Sequence, residues 1–171
     1  MAGPVSRQGH VGTGEERMRK AGLLFWLAAT MAAPAALAGD ASGFDPAAID
    51  QCLAAAETQG ARADCATAGM DACLDYVRQK YTGDDPDFPM ANCLDASHQA
   101  WEVKLTAVYQ AALEGGEAQE TLRRVERSWI DFREILCERA RETGGDLAHG
   151  RCIRDETARQ AALLTSLAEP Q

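Results

Sequence analysis

Cys137 and Cys152 stand at equal distances from the bond between Gly144 and Gly145, with helix-forming sequence on both sides. A glycine pair ends a helix, because glycine adopts the left-handed conformation that closes it. In a chain folded back at that point, residues equidistant from the turn lie opposite each other. The two cysteines therefore face across a helical hairpin at the same height, and a disulfide there contributes about 3 kcal/mol by loop-closure entropy. Four more cysteines, Cys52, Cys65, Cys73 and Cys93, bring the count to six in 171 residues. An even number in a small exported chain reads as three disulfides formed in an oxidising compartment. The absence of Cys-x-x-Cys argues against a redox dithiol and a zinc ribbon.

The rest of the sequence agrees with helices. Alternating runs of β-branched and aromatic residues are missing, and Ala, Glu, Leu, Arg and Gln dominate. A first long helix is predicted over about 93–113, with Asn92 as N-cap and Gly115-Gly116 as its stop. Leu94, His98, Trp101, Leu105, Val108 and Ala112 form its apolar stripe, with Tyr109 beside it. A second is predicted over about 118–141, with the stripe Leu122, Val125, Trp129, Phe132, Leu136 and Ala140. A third, over about 147–168 and capped by Asp146, carries Ile153, Thr157, Gln160 or Ala161, Leu164 and Ala168. Two shorter helices are expected over 46–57 and 64–80, and the Pro- and Asp-rich stretch 81–91 is expected to be a loop. The fold class is all-α: a small disulfide-stapled antiparallel bundle of three long helices plus two shorter N-terminal ones. Trp101, Leu105, Tyr109, Leu122, Trp129, Phe132, Leu136, Ile153 and Leu164 are its expected core.

On one helix, Cys65 and Cys73 would stand about 12 Å apart, beyond the roughly 7 Å limit for a disulfide. Two schemes survive: Cys52–Cys65 with Cys73–Cys93, or Cys52–Cys73 with Cys65–Cys93. The first is favoured, because Cys73 lies nearer than Cys65 to the loop that precedes Cys93. Reflection across the double glycine also places Arg133 opposite Glu156, one turn from the staple, as an interhelical ion pair.

Residues 1–38 read as a signal region. Arg19 and Lys20 precede an apolar run over 21–38 that ends Ala36-Leu37-Ala38, a signal-peptidase pattern. Residues 1–17 resemble neither signal nor domain; with Met18 as initiator they would be an over-extended start, leaving 18–38 as the signal peptide. The expected division is then 1–38 for export, 39–92 as a cysteine-containing helical extension, and 93–171 as the main helical domain. The expected location is periplasmic or secreted, with no membrane association after cleavage.

The formal net charge is −9, and 6% of residues are aromatic. Neither the acidity nor the lack of stacking platforms suits nucleic acid. The acidity is concentrated: residues 39–102 hold 12 acids and three bases, whereas 103–171 hold 12 acids and ten bases. Asp84, Asp85 and Asp87 in the DDPD stretch are the candidate partner-binding residues, facing a cationic protein whose approach their charge would steer.

The ordered pieces CLDASHQAWEVKLTAVY, SWIDFREILC and GGDLAHGRCIRDETARQAALL, from Cys93 to Leu167, resemble the LprI-like N-terminal domain family, named after a lysozyme inhibitor of the bacterial envelope. The chain departs from the family pattern at Leu105-Thr106, where Leu-Asn is usual, and at Arg133-Glu134, where Arg-Asp is frequent. The resemblance implies a small, secreted, helical, disulfide-stapled module, and lysozyme inhibition for the name-giving member.

Catalytic constellations are not found. His98 lies on an apolar stripe, and His149 is expected in solvent. His149-x-x-Cys152 is half a zinc site whose cysteine has a better partner. Glu134 and Glu138 are one turn apart on one helix and cannot flank a substrate. No catalytic residue, metal or cofactor is expected. The expected function is a non-catalytic binding module that inhibits a basic enzyme such as lysozyme by steric occlusion. An envelope structural or adaptor module is the alternative.

Overall fold

The computed structural model describes residues 43–114 and 118–168. The signal region, the Gly115-Gly116 stop and the C-terminal tip lie outside the described residues. Among them the order is α1 (Ala47–Ala55), α2 (Gln59–Asp64), a 3-10 turn (Cys65–Thr67), α3 (Met70–Lys80), α4 (Phe88–Glu114) and α5 (Gln119–Ala168). There is no strand among these elements, and the all-α bundle is as expected. No helix among the described residues is long and apolar enough to cross a membrane.

α5 consists of two helical stretches that fold back on each other at Gly145, where φ is 73° and ψ −169°. Residues 119–144 and 146–168 are thus the two arms of the hairpin. That backbone region belongs almost only to glycine. A Cβ added at Gly145 would meet nothing within 4 Å, so steric contact is not the issue. Gly145→Ala is expected to cost about 1–2 kcal/mol from backbone strain alone, measured by urea unfolding; an unchanged midpoint would mean the arms do not fold back here.

The three bridges are Cys52–Cys65, Cys73–Cys93 and Cys137–Cys152, with Cα separations of 5.8, 5.8 and 5.3 Å. The favoured pairing is the one present. One premise behind it is corrected: 64–80 is not a single helix. The 3-10 turn and Gly69, with φ 82°, break it between Cys65 and Cys73. A Cβ at Gly69 would press on the Phe44 ring at 3.1 Å, so glycine there also lets α1 and α3 approach.

A second correction concerns the start of α4. The helix begins at Phe88, and Asn92 lies inside it rather than capping it. Pro89 is tolerated in the first turn, where its missing N–H has no helical acceptor to lose. The expected loop over 81–91 shrinks accordingly. The Asp85 carboxylate accepts from the backbone N–H of Asp87 at 2.9 Å, and Asp87 C=O accepts from the N–H of Ala91 at 2.9 Å. Tyr81 stacks on Phe88 at 5.0 Å and closes this turn.

The core is centred on α4. Trp101 is fully buried, and its indole N–H donates to Ala66 C=O at 3.3 Å, tying α4 to the 3-10 turn. Ile49, Met70, Cys73, Val77, Cys93, Leu94 and Leu105 pack around it. The second arm closes the core with Ala158, Ala161 and Leu164. Its small residues allow α2 to come close enough for Arg62 to donate to Ser166 at 2.9 Å. Tyr109, Leu122 and Trp129 pack against this core half-buried, and Ile153 is also half-buried.

The first arm differs most from expectation. Phe132 and Leu136, expected in the core, are exposed, as is Val125. The inward face is Leu122, Glu126, Trp129, Arg133, Cys137 and Ala140. The reason is covalent. Cys137 is fully buried against Cys152, and the residue one turn before it, Arg133, must share that side. Phe132 and Leu136 are each one position off and turn outward.

Candidate functional site

The inward face of the first arm carries two charged residues, Glu126 and Arg133, among its apolar ones. Arg133 donates to the Glu102 carboxylate of α4 at 2.6 Å and to the Thr157 hydroxyl of the second arm at 2.9 Å. Its guanidinium lies 4.8 Å from the centre of the Trp129 ring, a cation–π contact. The expected Arg133–Glu156 ion pair is therefore not formed. Reflection across the hairpin sets height but ignores α4, whose Glu102 supplies the carboxylate, while Glu156 pairs with Arg159 on its own helix. His98 also hydrogen-bonds Glu102, at 3.0 Å. That bond, and after it the hydrogen bond and charge of Arg133, outweigh burial and hold the Glu102 carboxyl down at about 2. Farther along the arm, Gln160 donates to Glu126 at 2.8 Å. Burial pushes the Glu126 carboxyl above its ordinary value, and the Gln160 bond only partly offsets this.

Two members of this network, His98 and Arg133, reach a surface trough at the hairpin tip. Three open depressions share walls. One, of about 390 Å³, lies between the loop residues Asp85 and Asp87 with Phe88 at the start of α4 on one side and the turn 144–147 on the other. The next, about 380 Å³, shares Ala91, Asp146 and Leu147 with it and is floored by Leu94, His98, Arg133 and Ile153. The third, about 730 Å³, shares Glu134, His149 and Ile153 with the second and extends along Ile135, Glu138 and Glu142.

Asp85, Asp87, Asp95, Glu134, Glu138, Glu142 and Asp146 line the trough, against the guanidinium groups of Arg133, Arg139 and Arg141. Each arginine already has a carboxylate partner: Glu102 for Arg133, Glu142 for Arg139, and Glu138 and Asp146 for Arg141, at 2.5 to 3.5 Å. An excess of negative charge remains. Arg141 also donates to His149 Nδ1 at 3.0 Å, which makes that nitrogen an acceptor. No group of three metal-capable side chains converges among the described residues.

Of the three aspartates singled out from sequence, all are exposed, Asp85 and Asp87 line the trough, and Asp84 does not. Sequence reasoning missed Asp95, Glu134 and Asp146. Asp146 is expected from sequence as an N-cap, and Glu134 enters there only as half of a carboxylate pair on one helix. Their convergence depends on α4 and the hairpin tip lying side by side.

No curated protein and no solved structure matches the chain. Residues 78–164, about half of the chain, match the family described as lysozyme inhibitor LprI. The match begins upstream of the acidic loop rather than at Cys93, so the loop, α4 and the hairpin all fall within it. The chain belongs to the lysozyme inhibitor LprI family.

Proposed function

We propose that the protein is an extracytoplasmic, non-catalytic binding module that occludes a basic enzyme of the lysozyme type. The observation that carries the reading is the trough, where seven carboxylates face three already-paired guanidinium groups beside the DDPD loop. Three disulfides and no free cysteine among the described residues support an oxidising compartment. The family name points to lysozyme as the enzyme. The action needs no chemistry: a bound module at the mouth of a cleft excludes the substrate.

The test replaces Asp84, Asp85 and Asp87 together by Asn and follows binding to a basic lysozyme and inhibition of it. Exposed charges act over about 8 Å at physiological salt. The parent should associate more slowly as salt is added, and the triple variant should associate more slowly at low salt with a shallower salt dependence. Stability should change by less than about 0.5 kcal/mol, as for surface substitutions. Equal rates and equal salt dependence in both proteins would remove the loop from the site. No inhibition at any salt would defeat the lysozyme reading and leave the envelope-adaptor reading ahead.

A further inference from the structure

We propose that the outer face of the first arm of α5, formed by Val125, Phe132, Ile135 and Leu136, is the surface that holds the basic protein after the acidic trough has drawn it in. This rests on the reading above and names the second half of the same contact. The four side chains are 52%, 54%, 74% and 38% exposed. Single exposed apolar residues are ordinary, but a contiguous apolar strip on a helix is a docking signal. Here the signal is sharpened by what the arm does with its other side. Glu126 and Arg133 take inward positions, while Val125, Phe132, Ile135 and Leu136 are left exposed. Two inward positions are spent on charged residues, and four apolar side chains are left on the outer side for a partner.

Continuity and charge say which partner. Ile135 belongs both to the strip and to the trough wall, beside Glu134 and Glu138. Anything seated on the strip meets Glu134 at its edge, beside Arg139 and Arg141 that Glu142 and Glu138 already pair, and beyond them the excess carboxylates of the trough, so the occupant is a protein with an apolar patch bordered by Lys or Arg. A second copy of this chain fits poorly. A two-fold contact apposes like with like, and this chain carries a formal charge of −9. The two halves have separable roles: peripheral charge sets the association rate, and buried apolar contacts set the dissociation rate.

The experiment measures both rates for the full chain against a basic lysozyme, at low and physiological salt. It compares the parent, Ile135→Ser, Phe132→Ser with Ile135→Ser, and Asp85→Asn with Asp87→Asn. The serine variants should dissociate about tenfold faster, as for loss of contacts at the centre of an interface, with the association rate and its salt slope unchanged. The asparagine variant should show the reverse. All should keep the parent's far-ultraviolet dichroism and melting temperature, because the altered positions are exposed; Ile135→Ser alone is the control should the double variant melt lower. Salt-dependent binding with dissociation unchanged in both serine variants overturns this inference and leaves the trough reading standing. A parent that dimerises in sedimentation, with the double variant monomeric, assigns the strip to a second copy and also overturns it. A parent that binds no basic lysozyme at low salt removes both readings together.

Discussion

Trp101→Ala is expected to remove about 3–5 kcal/mol, the range for deleting a buried tryptophan. That is a large share of the 5–15 kcal/mol that holds a typical domain together. Trp101 is fully buried at the centre of α4, between the Cys73–Cys93 bridge and the second arm. The truncation opens a cavity and also strips the Ala66 carbonyl of its indole donor. Trp129→Ala should cost clearly less, since Trp129 is only half-buried and its ring covers a guanidinium rather than filling a core. Urea unfolding of the two variants beside the parent checks the order. A loss below about 1 kcal/mol for Trp101→Ala, or a larger loss for Trp129→Ala, would contradict a core centred on α4.

Arg133→Met should cost about 2–3 kcal/mol at neutral pH, below the range for a fully buried pair because Glu102 is 40% exposed on its side chain. The methionine keeps the stem over Trp129 and removes the charge, leaving Glu102 with His98 alone. The effect depends on pH with a definite sign. The Glu102 carboxyl sits at about 2 against an ordinary 4.5. A depressed carboxyl contributes stability that is present above the ordinary value and is lost as pH falls through the folded-state value. The gap between parent and variant should therefore narrow from about pH 4.5 down toward pH 2. Glu126 works in the opposite sense. Its carboxyl is raised, so its contribution is full below the ordinary value and is lost as pH rises through the raised one. Melting curves between pH 2 and 7 measure the first effect, and a gap that stays constant would show that Arg133 does not act through Glu102.

The helical class, the hairpin and its staple were legible because they rest on local signals: glycine at the turn, cysteines at equal distance from it, and apolar steps of three and four. The rotation of the first arm was misread from apolar spacing alone. Leu122, Trp129 and Ala140 belong to both candidate faces, so periodicity could not choose between Phe132 and Arg133 as the inward residue. The chain did contain the deciding fact. Once Cys137 is pointed at Cys152, Arg133 follows it inward, and covalent geometry outranks hydrophobic preference. The Glu102 partner of Arg133 was not legible, since it comes from a helix that pairwise reflection leaves out. The same holds for the trough. Asp85 lies about fifty residues before Glu134 and Asp146 of the hairpin, and only the packing of α4 beside the hairpin tip gathers them. The break between Cys65 and Cys73 was announced by Gly69, whose left-handed backbone a continuous helix cannot hold.

Each bridge joins a cysteine to the next one along the chain, across 13, 20 and 15 residues. Six cysteines allow fifteen pairings, and this is the set obtained by oxidising thiols in their order of appearance. A chain delivered N-terminus first can therefore reach this connectivity by oxidation in order of emergence. Cys52 meets Cys65 before Cys73 has emerged, and Cys73 meets Cys93 long before the hairpin exists. Every loop closes over a short stretch, where the entropy of closure is small. No step has to undo an earlier one, so the native covalent frame requires an oxidant but no disulfide reshuffling.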